Sequence, residues 1–161
     1  MNARFEHIDP RALRDACGAF ATGVTVISTR TDEGDHGMTA NAFMSVSLDP
    51  PMIAISLDHK CKLLDKVRAS GRYAVSILSD EMEKLAMHFA GRFDPDHADP
   101  FVELDGLPVV PGAASVFVCD VAQDVKAGDH VVFIGQVTRL ERASGARPLL
   151  FHGGKFGGLA D

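Results

Sequence analysis

Apolar positions follow two periods along the chain, and the alternation between them marks out its elements. Leu13, Ala16, Cys17, Phe20 and Ala21 stand at i, i+3, i+4, i+7 and i+8, one face of a helix. Asp9-Pro10 supplies an N-cap and a first-turn proline, and Gly23 a stop, so the spacing predicts a first helix from Pro10. Val24–Thr29 reads as a strand, and the polar run Thr31–His36 as a turn that sends the chain back toward Thr39. The segment 37–51 is crowded with small residues and reads as a loop, closed by the rigid Asp49-Pro50-Pro51. Met52–Leu57 is a strand, followed by a helix capped by Asp58, striped by Cys61, Leu64 and Val67, and closed by Gly71. Tyr73–Leu78 is another strand. A helix from Asp80 follows, with Glu83 in a capping-box position, a stripe of Met82, Leu85, Ala86 and Phe89, and a stop at Gly91.

The segment Arg92–Pro111 reads as irregular, and Ser115–Val125 as a half-buried strand. A turn at Lys126–Asp129 leads into the β-branched strand Val131–Leu140, and Pro148–His152 forms a short last strand. Behind it, Lys155 lies among glycines, where a loose tail and a ligand contact are equally open readings. Many strands linked by hairpins, with few helices, predict a mainly β, α+β fold: an antiparallel barrel, closed or split, with flanking helices. A doubly wound sheet does not fit, because strands and helices do not alternate and no GxGxxG follows a strand.

Bulk properties narrow the function. With 161 residues the chain is read as one domain, long enough to bury a core. No apolar run approaches a membrane span, and the first residues carry no signal-peptide core, so the expectation is a cytoplasmic protein without a membrane partner. A formal net charge of −6 with no basic block argues against nucleic acid. Cys17, Cys61 and Cys119 form no CxxC and are read as small buried hydrophobes, and the histidines show no metal-ligand spacing, so no metal site is expected. His7, His36, His59, His88 and His97 are read as surface residues.

The candidate chemistry lies in two adjoining stretches. Thr39, Asn41, Ser45 and Ser47 offer short hydrogen-bonding groups with little bulk, a surface suited to a flat polar ring or a phosphate. Lys60 and Lys62 fall at the next helix start, where the dipole disfavours cations unless an anion is near. Solvated lysines and a serine-rich connection are the plain alternative.

Five stretches in order give the chain a resemblance to the flavin reductase-like proteins with the FMN-binding split-barrel fold. They are Phe20-Ala-Thr-Gly-Val-Thr-Val26, Gly37-Met-Thr-Ala-Asn-Ala-Phe-Met-Ser-Val-Ser-Leu-Asp-Pro-Pro51, Phe89-Ala-Gly-Arg-Phe93, Gly128-Asp-His130 leading into Ile134-Gly-Gln-Val137, and Pro148-Leu-Leu-Phe-His-Gly-Gly154. Within that family the chain resembles the short reductase components of two-component flavin-dependent monooxygenases. The resemblance implies a homodimer that uses NADH or NADPH to reduce FMN or FAD and passes the reduced flavin to a separate oxygenase. It implies that Thr39, Ala40, Asn41 and Ala42, with Ser45, Val46 and Ser47, line the isoalloxazine and ribityl chain. Lys60, Cys61 and Lys62 then sit by the phosphate, and Arg92 and Phe93 close over the phosphate or adenine end. His130 is the implied catalytic position, beside the flavin where nicotinamide stacks, and His152, Gly153, Gly154 and Lys155 form part of that pocket. A flavoprotein that retains its flavin to reduce a ferric or cobalt complex, and a non-enzymatic flavin-binding module, are the competing expectations.

Overall fold

A computed structural model describes residues 8–161. Asp9 accepts from the Arg11 and Ala12 amides at the start of α1 (Pro10–Gly18), the expected cap. The helix stops at Gly18, short of Gly23, because Thr22–Gly23 is taken up as strand β1 against the C-terminal region. Its apolar stripe has no cover within the described chain: Leu13 is 55% exposed and Phe20 79%. Cys17 is exposed and Cys61 half-buried, so of the three cysteines only Cys119 behaves as a core residue. His7 lies outside the described residues; His59 is exposed, while His36, His88 and His97 are half-buried and hydrogen-bonded.

Strand β2 (Thr25–Thr31) turns at Asp32-Glu33 into β3 (Gly34–Ala40), and β4 (Phe43–Leu48) leads into β5 (Pro51–Asp58). The segment expected as a loop is therefore two strand ends meeting at a two-residue corner, Asn41-Ala42. Helix α2 (Lys62–Ser70) follows, then β6 (Arg72–Ile77) and α3 (Glu83–Phe89). Asp58 ends β5 and turns its carboxylate on the Lys60 amide, so Cys61 is the residue that precedes α2. Asp80 does not cap α3 either; it pairs with Arg147.

The segment expected as irregular holds a 3-10 turn at Pro95–His97 and a hairpin of β7 (Val102–Leu104) and β8 (Leu107–Val109). Its turn, Asp105-Gly106, takes left-handed backbone at both positions, the primed geometry that suits a two-residue hairpin. Long strands β9 (Ser115–Ala127) and β10 (His130–Arg142) come next, then the small hairpin of β11 (Leu150–His152) and β12 (Lys155–Gly157). Lys155 is thus in a strand, with no loose tail at that point.

Seven strands form one antiparallel sheet in the order β3-β2-β6-β9-β10-β5-β4. Laid flat, its two edges would stand about 29 Å apart, six strand spacings of roughly 4.8 Å. Yet the edges β3 and β4 are consecutive in the chain, and three Cα steps reach at most about 11 Å. The sheet must curl until one corner of its edges meets, while β3 and β4 remain unpaired with each other. That is a split barrel, as the pattern predicts.

Both faces of the curl are covered. Ile27, Ile53, Ile55, Leu57, Tyr73, Val75, Cys119, Val131 and Phe133 draw on five strands at once and so fill the concave side, where α2 adds Leu63, Leu64 and Val67. Val26, Ala74, Val116 and Val118 point the other way, under α3 and the β7–β8 hairpin. Gly135 is fixed by this packing. A Cβ there would lie 2.4 Å from the Tyr73 hydroxyl and 2.8 Å from the Cys119 Cβ. Burial keeps both of those groups protonated, the Cys119 thiol pushed up to about 12.

Candidate active site

At the corner, alternation sorts the residues. Met38, Ala40 and Phe43 pack on the inner core, whereas Thr39 turns outward and its hydroxyl donates to the Ala86 carbonyl of α3 at 2.6 Å. The Ala40 carbonyl accepts from the Thr25 hydroxyl at 2.7 Å. Thr39 and Ala40 therefore hold the corner in place. Asn41, Ala42, Ser45 and Val46 are exposed, and Ser47 is half-buried. Ser45 pairs with Ile53 and Ser47 with Met52, leaving Val46 in a bulge that bends the edge strand. Because β3 and β4 each have a neighbour on one side only, the gap between them is lined by main-chain donors and acceptors free of the ladder.

The β5–α2 connection adds positive charge. Cys61 places no side-chain hydrogen bond on the first turn of α2, so amides without intrahelical acceptors stay open. Lys60 and Lys62, both exposed, flank that opening. The register brings His130 here: it pairs with Asp58, and the Asp129 carbonyl accepts from the His59 amide at 3.1 Å. His130 Nδ1 lies 2.7 Å from the Asp129 carboxylate, a contact that holds that carboxyl below the usual range. Ligand atoms of Asp58, Asp129 and His130 all lie within 4.8 Å of one another, a compact cluster of two acids and an imidazole at this connection. Asp129 adjoins His130 in sequence, but nothing in the sequence reports that Asp58 faces it across the sheet.

Two further groups stand apart in their contacts. Arg92 and Phe93 follow α3; both are exposed and border a cavity of about 860 Å³ shared with Glu81, Glu83, Lys84, Met87, Asp94 and Pro95. His152, Gly153, Gly154 and Lys155 form the tip of the β11–β12 hairpin, whose Gly153 amide donates to the Gly18 carbonyl at the end of α1. The sequence-predicted site residues thus fall into one contiguous corner, the turn after α3 and a separate hairpin.

Comparison with known proteins matches the chain to one family. Residues 17–160 match the flavin reductase like domain. An NADH-dependent flavin reductase of a Rhodococcus species is 42% identical over 156 residues, covering 94% of this chain and 88% of that protein. The reductase component of 4-hydroxyphenylacetate 3-monooxygenase from Thermus thermophilus is 36% identical over 144 residues, covering 87% and 90%. Among solved structures, the flavin reductase PheA2 superposes with a TM-score of 0.91 at 47% identity, over 96% of this chain and 100% of that one. The chain belongs to the flavin reductase-like domain family.

Proposed function

We propose that the protein is an NAD(P)H:flavin oxidoreductase that reduces FMN or FAD by hydride transfer and supplies the reduced flavin to a partner monooxygenase. The names of its relatives support the reaction class. One observation carries the site: a gap lined by unpaired strand edges opens beside an uncapped helix start that bears Lys60 and Lys62.

The residues present fit a flavin. Main-chain groups of β3 and β4, with Asn41, Ala42, Ser45, Val46 and Ser47, suit the polar rim and ribityl hydroxyls. The open amides of α2, with Lys60 and Lys62, suit the phosphate. Cys61 brings its half-buried thiol to the same turn, and Arg92 and Phe93 close over the phosphate or adenine end. When bound, nicotinamide and flavin supply the hydride chemistry themselves. The protein's share is to stack the rings, orient them and exclude water. His130 has Nδ1 engaged by Asp129, which leaves Nε2 as the ring nitrogen that would be free to meet the nicotinamide. His152, Gly153, Gly154 and Lys155 complete this reading as the dinucleotide side.

A homodimer belongs to the proposal, because a second copy would cover the exposed stripe of α1. So does a cytoplasmic location, where NADH and an acceptor for short-lived reduced flavin are at hand. The deciding experiment is steady-state NADH and NADPH oxidation by purified protein, with and without added FMN or FAD. Turnover that rises with free flavin is expected. Turnover indifferent to added flavin, from a yellow protein that keeps its colour on gel filtration, would transfer the assignment to a retained-flavin reductase.

A further inference from the structure

The chain leaves α3 with the Arg92 amide on the Met87 carbonyl at 3.1 Å. The next anchor is the Asp94 amide, which donates to His88 Nδ1 at 2.9 Å. Between these two hydrogen bonds sit Arg92 and Phe93, whose side chains are exposed and make no hydrogen bond or ion pair among the described residues. The Phe93 ring lies against the His88 ring, centroids 5.3 Å apart at 44°. His88 is itself held on edge by Phe89 at 4.9 Å and 88°. Asp94 then caps the 3-10 turn, accepting from the Asp96 amide at 3.0 Å and meeting His97 Nδ1 at 3.3 Å. One imidazole therefore grips the turn twice, by its nitrogen and by its face.

We propose that His88 is a positioning residue that sets the pose of Arg92 and Phe93 over the bound flavin, acting through its Nδ1 acceptor. The inference rests on the reading that Arg92 and Phe93 cover that ligand. Accepting at Nδ1 requires the ring proton on Nε2. A ring that carries its proton on Nδ1 has no acceptor there for the Asp94 N–H, so the grip depends on this one tautomer.

Two variants separate the grips. His88→Phe keeps a ring against Phe93 but removes the acceptor; His88→Asn puts an oxygen near the Nδ1 position and removes the ring. FMN affinity is read by quenching of flavin fluorescence, and turnover by NADH oxidation. Leaving the Asp94 N–H without its acceptor is expected to raise the Kd and the flavin KM of His88→Phe roughly tenfold, with kcat within about twofold. His88→Asn, which restores an acceptor for the Asp94 N–H, should stay within about threefold of the natural protein. A His88→Phe protein that binds FMN normally, or an Asn variant as weak as the Phe variant, would overturn the proposal. Should the Phe variant not fold, the Asp94 amide proton in the natural protein reads the same bond by NMR. An Asp94 amide slowed in hydrogen exchange, more so when FMN is bound, supports the assignment, and one that exchanges freely in the FMN complex overturns it. Arg92→Ala and Phe93→Ala test the underlying reading separately. If both bind FMN and FAD normally the cap itself is wrong, whatever His88 does.

Discussion

Helices α1 and α2 are each nine residues long, each carries an apolar stripe, and they are held by opposite means. Helix α1 has every local signal, with an Asp9 cap and a first-position proline, but buries none of its residues. Helix α2 has no side-chain cap and two lysines at its start, yet it sinks Leu63, Leu64 and Val67 into the concave core. A short helix gains most of its stability from packing, so tertiary contact lets α2 leave its first amides open for a ligand. Where packing is absent, as in α1, the cap and the proline must define the helix, and the stripe is left for another surface.

The contrast breaks first at its packed end. Leu64→Ala should remove about 2–5 kcal/mol of stability, read by urea unfolding, because Leu64 is 2% exposed and its neighbours come from several strands. A loss below about 1 kcal/mol would show that α2 is not anchored as described.

The open end of the same helix gives the next effect. Lys60→Ala combined with Lys62→Ala should weaken FMN about tenfold while riboflavin, which lacks the phosphate, is bound as before. The difference should shrink as salt is raised, since both ammonium groups are exposed. Equal weakening of FMN and riboflavin would place the lysines elsewhere on the ligand.

These two helices also show what a single sequence can and cannot tell. The stripe Leu64–Val67 and the Gly71 stop were legible because they depend on spacing within one turn or two. The true start of α2 was not, because Asp58 looks like a cap while strand pairing with His130 claims it for β5. The corner was hidden for a related reason. Residues 37–48 do alternate, with Met38, Ala40 and Phe43 inward, but Gly37, Thr39, Ala42 and Ser45 are too small and too mixed for a period of two to stand out. Small residues at the edges leave the corner open, and the same lack of bulk makes it read as a loop. Those same residue types pointed to a candidate site of this kind. The hydrogen bonds that tie Thr39 to Ala86 and Ala40 to Thr25 were not legible, because no local pattern carries them.

A smaller test returns to α1. Its Asp9 contacts are long, 3.4 and 3.3 Å, and exposed, so Asp9→Ala should cost about 0.5 kcal/mol, the low end for a cap. A loss of 2 kcal/mol or more, measured by thermal unfolding at fixed protein concentration, would mean that the cap supports more than the helix itself.

Leu13→Ser has the smallest expected effect on a single chain and sharpens the contrast most. Leu13 is 55% exposed, so the isolated fold loses little packing, and serine on a helix surface costs only about 0.5 kcal/mol. If a second copy covers this face, the same change removes apolar area that association would bury. Complete loss of that contact at about 25 cal/mol per Å² corresponds to a tenfold or greater rise in the dimer dissociation constant. Sedimentation equilibrium reads the association, and melting at several protein concentrations reads the fold, because only a dimer's melting point moves with concentration. A weakened dimer around an unchanged fold means that α1 is as tertiary as α2, with its core supplied by another chain. An unchanged dimer means that α1 stands on its cap and proline alone, and that copies of the chain meet elsewhere.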